Sequence, residues 1–320
     1  MKLKYKILFL YAGVSILILA SIGSFLSYKL QNTIFKSIYA NFQNQLAHVN
    51  FALASAIKGV ETDLATIAAN DLIRERNDAD FTNFIDADPE TFQYHIGKTE
   101  QNIITVLNDY RVHHPYANSV YMGRANGSFV RSHKRNRPTK YDPRLRPWYV
   151  LAKENPGKIM ITDPYRSVTS PDVNVGIVTA LLDEQGQVFG VVGIDVTLAN
   201  LTDYINLVKV GRNGYMVLLD RNGTVLASRD KENLFRNIRN LYGHELQPVY
   251  KSKQGYTTFT ENSEQEYFFF YTSPQLNWKL GMVIPVSEVE SEVRQASYPV
   301  LAALFASYLN FSLCVCVTTL

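Results

Sequence analysis

Cysteine is nearly absent from this chain. Its 320 residues include two, Cys314 and Cys316, both inside the last apolar stretch. No disulfide framework can staple the middle of the chain, so a fold there must rest on its own core. A strong charge of either sign is also missing. Lys and Arg number 32 against 29 Asp and Glu, and a net +3 does not imply a nucleic-acid partner. The motifs H-E-x-x-H, G-x-S-x-G and the P-loop are absent, and no histidine stands out beside a nucleophile, so nothing argues for an enzyme. His113 and His114 are adjacent, which is poor geometry for one metal on a helix, so no metal and no cofactor is expected. Proline is absent from Tyr28 to Arg76, and Gly59 is the single glycine there.

What is present begins with two apolar runs. Residues 7–27 carry no charge, and about 20 apolar residues suffice to cross a hydrocarbon core. Lys2, Lys4 and Lys6 precede them, which places residues 1–6 in the cytoplasm by the positive-inside rule. A cleaved signal peptide is the alternative, with small residues near Ala20 to Ser24 as its cleavage site. Residues 298–320 form a second uncharged run of spanning length, with a C-terminal core helix as the alternative. Cys314 and Cys316 read as small apolar fillers in it.

Between the runs, residues 28–76 place Ile34, Ile38, Phe42, Leu46, Val60 and Leu64 near helical spacing and predict one long amphipathic helix. A second helix is expected over Pro89 to His113, with a polar, acidic loop before it. From Asn118 the period changes. Ser119 to Gly123 and Ser128 to Arg131 flank an Asn-Gly turn and predict a hairpin. Val173 to Leu182 and Val188 to Val196 predict a second hairpin, apolar enough for central strands. A short helix near Pro147 to Lys153 and another over Leu198 to Leu207 complete this unit. A smaller unit follows, with strands over 214–220, 224–228, 255–260, 266–271 and 279–286, then a helix over 287–295.

Six residues carry the most specific chemistry: Tyr141, Arg146, Trp148, Tyr149, Tyr165 and Asp195. A guanidinium is a planar fork that fits a carboxylate in bidentate fashion. A carboxylate can accept from an ammonium, and Trp and Tyr supply apolar walls with one polar handle each. A free amino acid, with opposite charges a few ångströms apart, needs that set. The bland readings are an Arg146 salt bridge to Asp142 or Asp163, a core Trp148, and an Asp195 paired or capping the helix at Leu198. The run Arg131, His133, Lys134, Arg135, Arg137, Lys140 and Arg144 is a basic loop, either solvated or touching lipid headgroups or an anionic ligand.

The order of parts, with Tyr141-Asp142-Pro143-Arg144-Leu145-Arg146-Pro147-Trp148-Tyr149 followed by Gly190-Val191-Val192-Gly193-Ile194-Asp195-Val196, resembles the double Cache sensor domain of bacterial chemoreceptors, sensor kinases and diguanylate cyclases. The resemblance covers nearly the whole chain. It implies an α+β fold: a long N-terminal helix carrying two PAS-like antiparallel-sheet modules, flanked by two transmembrane helices. The sensor would occupy residues 28–297 outside the inner membrane, with a membrane-distal module over 77–207 and a membrane-proximal one over 208–296. In the amino-acid-binding subset, the matching residues imply that Arg146, Trp148 and Tyr165 hold the ligand carboxylate. Asp195, Tyr141 and Tyr149 would hold its ammonium. A homodimeric, multi-pass chemotaxis-type receptor with no nucleic-acid partner is then the expectation. An interaction module that binds a periplasmic protein is the rival. An output domain is not expected within these 320 residues. A truncated receptor is the favoured expectation, beside a stand-alone sensor or a regulator that forms mixed dimers.

Overall fold

The protein is seen here as a computed structural model, which describes residues 3–79, 81–135, 138–166 and 173–318. Helix α1, Leu3–Ala69, runs unbroken for 67 residues. It merges the first apolar run and the amphipathic helix, as expected where no proline interrupts the hydrogen-bond ladder. Asn70 ends it by leaving the helical backbone and accepting from the Leu72 N–H, which starts the short α2, Asp71–Arg74. Among the described residues α1 is the one helix long and apolar enough to cross a membrane, and its apolar window is wholly unburied. The side chains of Lys2, Lys4, Lys6, Cys314 and Cys316 lie outside the described residues.

Helix α3, Lys98–His113, is shorter than the expected Pro89–His113. The Asp88 carboxylate and carbonyl accept from Glu90, Thr91 and Phe92, which holds residues 88–92 in turns, and Gly97 caps the helix. Strands β1, Ala117–Arg124, and β2, Phe129–Arg131, form the first hairpin, with Gly127 in the left-handed region at φ 90. Helix α4, Pro147–Glu154, follows with proline in its first turn, where the missing N–H costs nothing. Strands β3, Ile159–Ile161, and β4, Tyr165–Arg166, are too short to show a period, and no sequence signal marked them. Strands β5, Val173–Leu182, and β6, Val188–Thr197, then lead to α5, Leu198–Asn206. The first sheet has the order β2-β1-β6-β5-β3, with β4 also on β5, and every pairing is antiparallel.

The second sheet uses β7, Tyr215–Leu219, and β8, Val225–Ser228. Helices α6, Ile238–Tyr242, and α7, Gln247–Lys251, intervene; neither was anticipated, since five residues are too few for a helical period. Strands β9, Gln254–Glu261, β10, Glu264–Thr272, and β11, Lys279–Pro285, complete the order β8-β7-β11-β10-β9. Helix α8, Val286–Thr318, joins the expected short helix to the second apolar run through Pro299.

One apolar core joins the parts. Leu46, Leu53, Val60 and Leu64 of α1 lie in the same buried cluster as Val192 and Ile194 of the first sheet and Leu218 and Met282 of the second. The α1-facing side of the first sheet carries Val120, Met122, Ile177 and Ile194. Because side chains alternate along a strand, Tyr121, Val178, Val191 and Asp195 face the opposite side, where a separate aromatic cluster forms.

Candidate ligand-binding site

The floor of the site is this second face of the first sheet. Asp195 sits on the central strand β6, opposite Ser119 of β1 and Gly176 of β5, and is 7% exposed. An ionised carboxylate there needs donors. Tyr121 donates to Oδ1 at 2.7 Å and Asn174 Nδ2 to Oδ2 at 2.9 Å, while the Tyr165 hydroxyl makes a short bond to Oδ1. Glycines clear the space. A Cβ on Gly193 would lie 2.9 Å from three atoms of Tyr121, and one on Gly123 would lie 2.9 Å from Trp148 and 2.7 Å from Pro143. Aromatic rings can therefore lie directly on the sheet.

The wall comes from the segment between β2 and β3. The Tyr141 N–H donates to the Phe84 carbonyl at 2.8 Å, which pins the segment to the sheet edge. Asp142 accepts the Arg144 N–H and forms an ion pair with the Arg144 guanidinium at 2.7 Å, tightening the turn over Pro143–Leu145. That turn delivers Arg146 to the start of α4. Trp148, 2% exposed, packs edge-on against Tyr121 at 4.8 Å between ring centres. Its indole N–H donates to the Tyr141 hydroxyl at 3.3 Å. The Arg146 guanidinium stands 5.7 Å from the centre of the Tyr141 ring, and its Nε is buried with no partner.

Burial pushes the Asp195 carboxyl up to about 6, against the Tyr165, Tyr121 and Asn174 hydrogen bonds and the Arg131 charge that pull it down. Burial and the Asp195 charge hold the Tyr121 and Tyr165 hydroxyls well above their usual range, so both remain donors. Around His133 the field is positive. Burial, Arg131 and Arg111 together hold His133 down to about 4, so it is neutral at pH 7.

The structure thus brings Tyr141, Arg146, Trp148, Tyr165 and Asp195 to one face. Tyr165, expected at the carboxylate end, has its hydroxyl on Asp195 instead. Tyr149 is packed beneath Trp148 at 5.6 Å, and the charges that act on it are Arg144, Asp142 and Arg124 rather than Asp195. Neither bland reading of Arg146 appears, since Asp142 is engaged by Arg144 and Asp163 by Arg221 at 2.8 Å. Sequence reasoning missed Tyr121 and Asn174, which reach Asp195 through strand register. It left Arg131 and Arg135 in a basic loop, although Arg131 feels Asp195 and Arg135 lies 5.0 Å from the Tyr141 ring. No group of metal-ligating side chains occurs among the described residues.

Two antiparallel-sheet modules on one long helix, with a polar floor and aromatic wall on the first module, define a two-module sensor domain. The chain belongs to the double Cache family: the Cache domain model matches residues 29–293. Its relatives include the methyl-accepting chemotaxis protein McpB of Bacillus subtilis, 28% identical over 188 residues, or 59% of this chain and 27% of McpB. The methyl-accepting chemotaxis protein McpA of Pseudomonas putida is 33% identical over 165 residues, or 51% of this chain and 25% of that protein. McpA of Bacillus subtilis is 25% identical over 279 residues, covering 87% of this chain and 40% of its own length. The chain thus spans well under half the length of these relatives. Among solved structures, the ligand-binding domain of the Pseudomonas fluorescens chemoreceptor CtaA with L-isoleucine superposes with a TM-score of 0.63, at 21% identity, over 82% of this chain and 98% of that one. That of Pseudomonas aeruginosa PctB with L-Arg gives 0.60 at 20% identity, over 79% and 97%. At these identities the likeness establishes the shared fold.

Proposed function

We propose that this chain is the sensor portion of a membrane-bound, non-enzymatic chemotaxis receptor that binds a free amino acid in its first module. The observation that carries the reading is the opposition of a buried Asp195 on three donors to an Arg146 whose Nε has no partner, across the Trp148–Tyr141 pair. Arg146 takes the ligand carboxylate as a bidentate fork. Asp195 takes the ammonium, with Tyr121 and Tyr165 fixing the carboxylate's orientation and Tyr141 and Trp148 forming an aromatic wall beside it. Tyr149 acts from beneath Trp148. Charge-assisted hydrogen bonds of about 1.5–3 kcal/mol each bring micromolar affinity, about −8 kcal/mol, within reach. CtaA holds L-isoleucine and PctB holds L-Arg, which supports an amino acid as the ligand class here.

In this reading residues 7–27 and 298–320 cross the inner membrane, residues 1–6 are cytoplasmic, and 28–297 face outward as a module over 77–207 above one over 208–296. A homodimer transmits closure of the pocket through α1 and α8, which pack against each other. The energy for that shift is bounded by the ligand's differential affinity for the two states. Titration calorimetry of the full chain in nanodiscs against the common amino acids tests the reading. Binding by some of them, lost in Arg146→Ala and Asp195→Ala variants that keep their melting temperature, is expected. Absence of heat with every amino acid at millimolar concentration would sink it.

A further inference from the structure

The second sheet holds a buried carboxylate without a donor. Glu266 of β10 is 9% exposed, and its Oε2 is buried with no hydrogen-bond partner. Such an oxygen costs free energy unless something donates to it. Register places it. Glu266 lies opposite Phe259 of β9 and Pro285 of β11, and Glu264 lies opposite Glu261. Side chains alternate along a strand, so Glu264 and Glu266 share the face of Phe268 and Phe270. Phe269 and Met282 on the other face pack with α1, so the Glu266 face turns away from α1, as the Asp195 face does in the first sheet.

The surroundings are acidic, and the other buried groups are already engaged. Glu261 accepts from the Tyr215 and Tyr242 hydroxyls. Glu288 accepts from the Arg212 and Asn213 N–H groups at 2.6 and 3.2 Å. Burial, with the charges of Glu261, Glu264 and Glu288, pushes the Glu266 carboxyl up to about 7, and Arg229 opposes them. Arg229 is itself committed elsewhere. Its guanidinium lies 4.3 Å from the centre of the Tyr215 ring and donates to the Asn213 carbonyl at 3.3 Å. An open cleft of about 380 Å³ lies over these groups, lined by Glu261, Glu264, Glu266, Arg212 and Arg229. That is room for a small molecule.

The chemistry of the cleft narrows its occupant. An anion would meet three carboxylates. A quaternary ammonium brings charge but no N–H for the buried oxygen. A metal ion needs several oxygens converging on one point, and no such group occurs among the described residues. A primary ammonium supplies both the charge and several donors. We infer that the second module carries a separate site for a small primary amine, whose ammonium donates to Glu266 with Glu264 beside it. This site does not rest on the amino-acid reading.

The test is titration calorimetry of the full chain in nanodiscs at pH 8, where Glu266 is ionised. Ethylamine and putrescine are the probes, and tetramethylammonium and Mg²⁺ are the controls. An Asp195→Asn background removes amine binding at the clamp. Saturable binding of a primary amine is expected there, with tetramethylammonium about 10-fold or more weaker, the worth of one charge-assisted hydrogen bond. Glu266→Gln should weaken the amine by a similar factor. It should melt no lower than its background, because an amide carries no desolvated charge. Glu264→Gln, an exposed change, should weaken the amine about 2- to 5-fold. Unchanged affinity in both variants would overturn the assignment to this cleft. A clearly lower melting temperature of Glu266→Gln would show a structural role and overturn it too. Tetramethylammonium binding as tightly as the amines, or Mg²⁺ displacing them, would overturn the ligand class. No amine binding in the Asp195→Asn background at millimolar concentration would remove the site and leave the amino-acid reading standing.

Discussion

Asp195 decides how the site responds to pH. Burial raises its carboxyl from 3.8 to about 6, which corresponds to about 3 kcal/mol of penalty on the ionised form. Between those values the folded protein holds more protons at this group than the unfolded chain does, so ligand-free stability falls as pH rises from about 4 through 6. An ammonium ligand needs the ionised form. Affinity should therefore fall about 10-fold per pH unit below about 6 and level off above it. Calorimetry at pH 5, 6 and 7.5 checks this, and Asp195→Asn should bind weakly at all three with no slope. A wild-type profile flat across that range would show that Asp195 does not contact the ammonium. Phe84 and Tyr141, whose rings flank the Arg135 guanidinium, are joined by a backbone hydrogen bond of 2.8 Å.

At the scale of elements, the site depends on how closely aromatic rings approach β1, β5 and β6. Gly193 has no room for a methyl group, because its three nearest atoms at 2.9 Å all belong to the buried Tyr121 side chain. Gly193→Ala should cost about 1–3 kcal/mol in chemical denaturation, as overpacking does. It should also weaken ligand binding, because it pushes Tyr121 off Asp195. Gly59→Ala, on α1 with nothing near the added carbon, is the matched control and should leave stability unchanged or slightly raised. Equal effects of the two would contradict the packing account. Helix α1 is the other decisive element. Leu64 is fully buried against the first sheet, and Leu64→Ala should lower stability by about 2–5 kcal/mol in the same assay.

At the scale of the molecule, one buried cluster contains α1 and residues of both sheets. The two modules should therefore melt together. Differential scanning calorimetry should show one cooperative transition, which an amino-acid ligand moves upward as a whole. Two peaks, with only one shifted by ligand, would mean that the modules are energetically separate. The Arg221–Asp163 ion pair also bridges the modules at 2.8 Å, but its side chains are 58% and 59% exposed. Arg221→Ala should change stability by no more than about 1 kcal/mol. The coupling lies in apolar packing along α1.

What the sequence determined by itself was local. The period of Ile34 to Leu64 set the long helix, the Asn-Gly turn set the first hairpin, and the contiguous Tyr141–Tyr149 segment with Asp195 marked the residues of the candidate site. Each is a short-range signal: a backbone preference, a side-chain period, or neighbours in one motif. The short strands β3 and β4 and the helices α6 and α7 were not legible, because two to five residues cannot display a period. Tertiary structure decided which distant residues meet. Tyr121 and Asn174 reach Asp195 because antiparallel register sets β1 and β5 on either side of β6. Tyr165 joins them because β4 pairs with β5. Arg135 lies beside Tyr141 because Phe84, 51 positions earlier in the chain, holds one face of its guanidinium. Register and enclosure are long-range pairings, and a linear pattern carries no record of which strand lies beside which.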